Sequence, residues 1–598
     1  MSNYCKNIFD YIEQQKVAYQ LPIQINKSWS WNMAEHLLLS ELYTNAQLKN
    51  GKDDWTPVKN ITLPILNLQH RAEDIELKDV QLYINSDEKY HLSMLVKKYH
   101  DDVFVKENDI DTYIDELNVS RIDLGGGLSK KLFKPRPEVV PLQSLLFCSQ
   151  KDILSAPFAM EHEYSPDQLL KMADKGWGNE ANGATHSVED LVSIWREQDK
   201  QEETIKIIEV HGTLPARFAN REAGEYDYET RIFIVCFIKP KDSMENKGVI
   251  LYTAEENIED TFKLVKRDPI FGRALGRGGA EELFEPQVWT TYDMIRKQKM
   301  LDAAAVTILQ SDDPTVRARN PKGLKNMKNL EVVDVAPNTS VRQIDTFPRN
   351  MQLLDKSVND WEVHAQSLGG AQDPLMGKEP SAGTPFASVE AQIQQGMGLH
   401  DYRRGQFAKH LEEIYNDWII PHIQKEITKG FKFLSELSLE EMDYVADRII
   451  VNQWNHYATE KILNDGEFVE GEKEEFMSKA KEDFKKGGNK RFLEALKDEF
   501  KNTKLGVKVS VAGKSKNLGQ MTDKIVNLFR FALSNPQGFG QIMKIPAMAK
   551  GWNEVLEFSG MTPMDFQGMD ALAQPPQPQQ APQMPQMPEL PAQAPING

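Results

Sequence analysis

Apolar positions recur at helical spacing through several stretches of this 598-residue chain. The stretch from Gly278 to Gln310, GGAEELFEPQVWTTYDMIRKQKMLDAAAVTILQ, predicts a long helix in mid-chain, with Phe284, Val288, Tyr292 and Ile295 on one face. Glu281 and Glu282 supply an acidic first turn, and Pro286 marks a restart. Asp312-Asp313-Pro314 ends the run, and a basic, glycine-bearing approach from Lys266 to Arg277 precedes it. Residues 1–50 read as helical, with Ile8 and Ile12 one turn apart. Trp29 and Trp31 open the second apolar segment and read as core anchors. Between 56 and 85, ITLPILNLQ and VQLYIN alternate and predict strands. A polar helix over 87–116 follows. VSRIDLGGGLSKKLF predicts a strand, a hairpin turn at Gly125-Gly126-Gly127 and a basic return strand.

PEVVPLQSLLFCSQKDI adds strands, and a helix opens at Ser165-Pro166, a cap followed by proline at the first helical position. Ser187 to Glu202 predicts a further helix. IKIIEVHGTL, RIFIVCFI and GVILYTA then make a β-rich module at 204–255, expected to project from the main body. Its loop ARFANREAGEYDYET is polar and expected to be exposed. NLEVVDVAP and VRQIDTF return to strand, and MQLLDKSVNDWEVHAQSL is an amphipathic helix. Gly369 to Thr384, GGAQDPLMGKEPSAGT, predicts a mobile loop. A long helix resumes at Pro385 and runs to about Trp418. Residues 425–500 predict charged helices, one of them with the capping pair Ser438 and Glu441. From Ala573 the chain is mostly Pro, Gln, Met and Ala, a composition that cannot bury a core.

Length predicts several domains, and 40% hydrophobic residues suffice for real cores. The formal charge of −18 excludes a simple nucleic-acid coat, whose footprint is a basic stripe. Cys5, Cys148 and Cys236 form no CxxC, which predicts a reducing compartment and no disulfide or thiolate–zinc framework. The N-terminus lacks the apolar core of a signal peptide, and no apolar run reaches the length of a membrane span. The expectation is a soluble protein that does not enter membranes.

No catalytic motif emerges: GxSxG, HExxH and a DxDxDG loop are absent. His162 stands between Glu161 and Glu163 without a second histidine four residues away. Gly513-Lys514-Ser515 follows a predicted strand, but the glycine a P-loop needs five residues earlier is Lys508. A two-carboxylate nuclease site among the many acidic residues stays open. The expectation is a protein that is not an enzyme and holds no metal or cofactor.

The order of parts resembles the portal proteins of tailed bacteriophages, podovirus-like in its local stretches. IKIIEVHGTLP is similar to the strand entering the portal clip. GRALGRGGAEELFEPQVWTTYDMIRKQKMLDAA resembles the glycine-rich turn and long helix returning from it. LGGAQDPLMGKEPSAGTPFASVEAQIQQG resembles the tunnel-loop segment before the long wing helix. The resemblance implies an α+β, portal-like fold with a mixed wing domain, long stem helices, a small β-rich clip and a helical crown. The parts would be an N-terminal wing at 1–186, a stem helix at 187–203, a clip at 204–265 and a returning stem helix at 266–310. A wing at 311–424 with tunnel loop 369–384, a crown at 425–572 and a disordered tail at 573–598 would follow.

The resemblance further implies a ring, usually a dodecamer, at one capsid vertex of the virion, assembled in the host cytoplasm. Double-stranded DNA would pass through its channel. Its partners would be terminase, a head-to-tail adaptor and tail proteins, the capsid and a scaffold. The clip residues expected to dock partners are Arg217, Arg221 and Glu222. The tunnel-loop residues expected at the DNA are Asp373, Lys378 and Glu379. Arg273, Arg277, Arg296 and Lys297 are candidates for the stem or lumen. A different structural virion protein is the alternative, and a nuclease or ATPase stands third.

Overall fold

The computed structural model describes residues 3–26, 29–45, 58–84, 90–132, 134–196, 204–219, 223–224, 226–238, 247–305, 308–320, 334–344, 351–377, 386–429, 439–464, 466–469, 471–501 and 505–509. These lie in a compact unit, Met1–Val511; Asn527, Arg530 and Ser534 are described in the other, Ala512–Gly598. The tail from 573 and the segment Gly513-Lys514-Ser515 lie outside the described residues.

The fold is α+β: long helices around several small antiparallel sheets. The largest sheet runs in the order Lys247–Glu255, Tyr228–Ile238, Ile205–Pro215, Phe158–Tyr164, Leu145–Phe147. The β module at 204–255 is therefore not a free projection. Its first strand pairs with Phe158–Tyr164 from Phe158↔His211 to Tyr164↔Ile205. Helix Asn3–Tyr19 covers one face, burying Ile8 and Ile12 against Ile208, Val210 and Val235. Helix Val188–Arg196 covers the other through Leu191 and Val192. Both faces of the sheet are apolar because both are covered, so the expected stem helix is a packed surface helix here.

Two stretches read as strands are helices. ITLPILNLQ lies in Thr62–Ala72, which buries Ile65, Leu66, Gln69 and Ala72 and leaves Leu63 exposed. Pro64 is tolerated there because the first turn makes no intrahelical N–H bonds. The free N–H groups are met from outside: Thr62 and Leu63 donate to Asn60 Oδ1, and Ile61 donates to Gln287 Oε1 at 2.9 Å. VSRIDL ends helix Ile110–Leu124. Gly125, at φ 86, caps it, and the strand Gly126–Lys130 begins at once. The three glycines are thus a helix stop rather than a hairpin turn. A Cβ on Gly125 would meet Gly276 O at 2.4 Å, so this position also admits the loop that crosses it.

The Trp29–Trp31 stretch is a short strand preceding helix Met33–Asn45; Trp31 is buried and Trp29 is half-exposed. The largest core joins Tyr113 and Leu117 to Phe407, Leu411 and Ile414 of the long helix Phe386–Ile414, then to Val445 and Leu496. Among the described residues no helix is long and apolar enough to cross a membrane.

Candidate functional site

The predicted mid-chain helix is present as Phe284–Ala305, but its buried face is polar. Gln287, Thr290, Thr291 and Asp293 are inside, and Tyr292 is exposed. The reason is the neighbour. Helix Met351–Leu368 folds back along it, antiparallel, with Trp289 stacked on Trp361 at 6.2 Å and 9°. Further along, Asp293 accepts from Ser357 Oγ at 2.6 Å, and Lys297 pairs with Asp355 at 2.6 Å. The same fold-back continues into strands: Ile308–Ser311 pairs with Val341–Ile344 from Ile308↔Ile344 to Ser311↔Val341. Asp313 closes this end, accepting from Thr315 N and Oγ1 at 2.7 Å each and from Ala336 N at 2.8 Å. Those bonds hold its carboxyl below the usual range, and Arg319 adds to them. Helix, strand, connection, strand and helix form one arm, roughly 33 Å long in the helical part at 1.5 Å per residue for its 22 residues.

At the root of the arm five segments meet in a buried charge cluster. Glu73, fully buried, accepts from Arg121 Nη2 at 2.8 Å and Arg267 Nη2 at 3.0 Å, with His400 Nδ1 at 3.3 Å. Burial alone would raise the Glu73 carboxyl, but Arg267, His400 and Arg121 hold it far below the ordinary carboxylate range. Arg403 donates to Glu282 at 2.6 Å and to Asp268. Burial outweighs the arginines at Glu282 and pushes its carboxyl up. Burial brings Arg121 down to about 10, against the pull of Glu73. Three carboxylates face three guanidiniums, so the cluster is a balanced clamp and not an anion site.

The clamp holds the start of the segment predicted to be a mobile loop. Gln69 Nε2 donates to Gly369 O at 3.1 Å, and His400 Nε2 lies 3.3 Å from Gly370 O. Gly370 sits at φ 66, with His400 where a Cβ would go. Ala371 is fully buried among Ile61, Ile65, Leu66 and Ala365, and Met376 packs on the same cluster. Residues 369–377 are therefore a packed turn, with Ala371 N bonded to Gln366 O and Met376 N to Gln372 O. Gly and Pro content marked the turn but not its anchoring, which comes from Gln69, 300 positions away in sequence, and from His400, 30 positions away.

The individual candidates separate clearly. Asp373 is exposed on that turn, while Lys378 and Glu379 lie outside the described residues. Arg217 is exposed in the short turn Ala216–Phe218, and Arg221 and Glu222 lie outside the described residues. Arg273 is not available to a lumen: it is buried, held by both oxygens of Glu281 at 2.8 and 2.9 Å, and lies over the Trp31 ring at 4.4 Å. Its desolvation is offset by that bidentate pair. Arg277 is exposed. Arg296 is on the arm beside Asp293 at 3.4 Å and Tyr292, and Lys297 is tied to Asp355. Sequence reasoning missed Gln69, Glu73, His400 and Arg403, which share no local pattern. Among the described residues no group of three His, Cys, Asp or Glu is placed to hold a metal ion.

No family model matches the chain, and no curated protein matches it. Among solved structures, a chain from the virion of a native gene transfer agent (GTA) particle is similar at a TM-score of 0.32 and 8% identity. That match covers 68% of this chain and 86% of the other. A likeness of that grade carries no argument about function, which rests on the residues themselves.

Proposed function

We propose that the chain is a portal-type virion protein: a ring at one capsid vertex through which double-stranded DNA is packaged and ejected. It works without chemistry, metal or cofactor of its own, and terminase and then a head-to-tail adaptor dock on it. The observation that carries this reading is the arm at 284–368 followed by the turn at 369–377 and the 29-residue helix Phe386–Ile414. Helix, small β element, returning helix, loop and long helix is the portal order of stem, clip, stem, tunnel loop and wing helix. In this reading the clip lies at 306–350, the two stem helices are Phe284–Ala305 and Met351–Leu368, and the sheet at 204–255 belongs to the wing.

Two further observations support it. The arm leaves Tyr292, Leu301, Leu353 and Val363 exposed, apolar surface of the kind a neighbouring copy covers. A formal charge of −18 suits a channel that must let DNA slide, because basic walls hold phosphates. Sedimentation velocity of the purified protein tests the reading. One closed oligomer of fixed size over a tenfold range of concentration supports it; a monomer, or a ladder of open polymers, overturns it.

A further inference from the structure

The loop between Arg267 and Gly278 is fixed from within. Arg267 N and Gly276 N both donate to Gly125 O at 3.0 Å, and Ala274 N donates to Gln150 O at 2.8 Å. Arg277 N donates to Asp268 O at 3.2 Å. Ala274 and Leu275 are fully buried, and Arg273 is clamped between Glu281 and Trp31. The backbone turns through Asp268 at φ 42 and Gly272 at φ 83. From this base Phe271 stands 100% exposed. An exposed aromatic on a fixed backbone is a common form of binding anchor, because the loop has little backbone motion to lose when the ring is covered.

A matching socket lies beside helix Met33–Asn45. Its volume is about 220 Å³; Trp31, Leu39, Ala280 and Phe284 give it apolar walls, and polar side chains, His36 and Glu281 among them, line the rest. Small-molecule sites usually hold 300–1,000 Å³, so this one suits a single side chain. Leu38 lies exposed on the same helix, and Glu35, also exposed, lines the opening. The exposed Arg277 accompanies Phe271 on the loop, so the knob matches the socket in size, its ring matches the apolar walls and its arginine matches the acidic opening.

We infer that Phe271 of one copy of this chain seats in the Trp31–Leu39–Phe284 socket of a second copy, with Arg277 meeting Glu35. The inference rests on the ring reading and names a contact within it. Repeated in one direction, the knob of each copy in the socket of the next, the contact is heterologous and closes into a ring where the rotation between copies divides a full turn. Phe271 has no intrachain packing to lose, so Phe271→Ala tests it without unfolding the chain. The variant is expected to raise the concentration at which half the chains are assembled at least tenfold. An unchanged midpoint in a wild type that does assemble overturns the contact and leaves the ring standing. A wild type that never assembles overturns the ring reading itself. In a Cys5→Ser background, co-expressed Phe271→Cys and Leu39→Cys chains should form a disulfide dimer on oxidation that neither forms alone. No dimer in the mixture, or an equal one from the Phe271→Cys chain alone, overturns the contact.

Discussion

Glu73 gathers Arg121, Arg267, Arg403 and His400 around one carboxylate with no exposed surface. Removing one partner of a buried ion pair leaves the others uncompensated in a low dielectric, a loss of about 3–5 kcal/mol. Glu73→Gln keeps the shape and removes the charge, so urea unfolding should show a destabilisation of that size; less than about 1 kcal/mol would mean that water reaches the cluster. A second buried site gives a pH dependence. His211 is fully buried, with Nδ1 2.6 Å from Glu256 Oε2 and Nε2 3.3 Å from Glu209 Oε1. Burial alone would lower its pKa, but Glu209 and Glu256 raise it. A raised folded value gives stability that is complete below the unfolded imidazole's titration and lost as pH rises through the folded one. Glu209 has the opposite sense: burial would raise it, but Lys130, His162 and His211 hold it well below the ordinary value. Its contribution is present above the unfolded carboxylate's titration and lost as pH falls through the folded value. Both are in place between roughly pH 4.5 and 6.5. The wild type should lose stability from pH 6 to pH 8, while His211→Gln, lower throughout, loses the part of that slope due to this ring. Equal slopes would assign the alkaline loss to another group.

At the scale of elements, the arm makes a docking prediction. Arg317 and Arg342 are exposed at its strand end. Replacing both with Glu should weaken capture of a docking partner by tenfold or more, about 1.4 kcal/mol, without altering the oligomer. Undiminished capture would return the docking surface to Arg217 and its neighbours. The turn at 369–377 makes another prediction. Deleting 371–382 removes the buried Ala371 and its bond to Gln366, and should lower stability by about 1–3 kcal/mol. Deleting 378–384 leaves those contacts in place, so its melting temperature should stay within about two degrees of wild type. Equal losses would show that the anchoring lies beyond Gly377. These elements also show where sequence suffices. Ser165-Pro166 announced its helix because the signal is local: Ser165 Oγ accepts from Gln168 N, and Gln168 answers at the Ser165 backbone. The strands at 205–215, 228–238 and 247–255 were legible from their continuous apolar runs. Thr62–Ala72 was not, because Gln287, more than 200 residues later, helps satisfy its first turn. The charge clamp was not legible either, since its members come from five separated segments and single charged residues look like surface.

At the scale of the whole molecule, the proposed ring needs surfaces from this chain rather than chemistry. A truncation after Leu572 should leave the melting temperature within a degree or two, because a Pro- and Gln-rich tail has little apolar surface to bury. A larger loss would mean that the tail packs on the folded chain. The acidic excess predicts weak binding to duplex DNA, with a shallow dependence on salt. The ring claim is tested most directly by electron micrographs of the purified full-length protein. Closed rings of one size, with a central hole wide enough for duplex DNA, are expected. Particles without a hole, two-fold dimers or open filaments would contradict the claim.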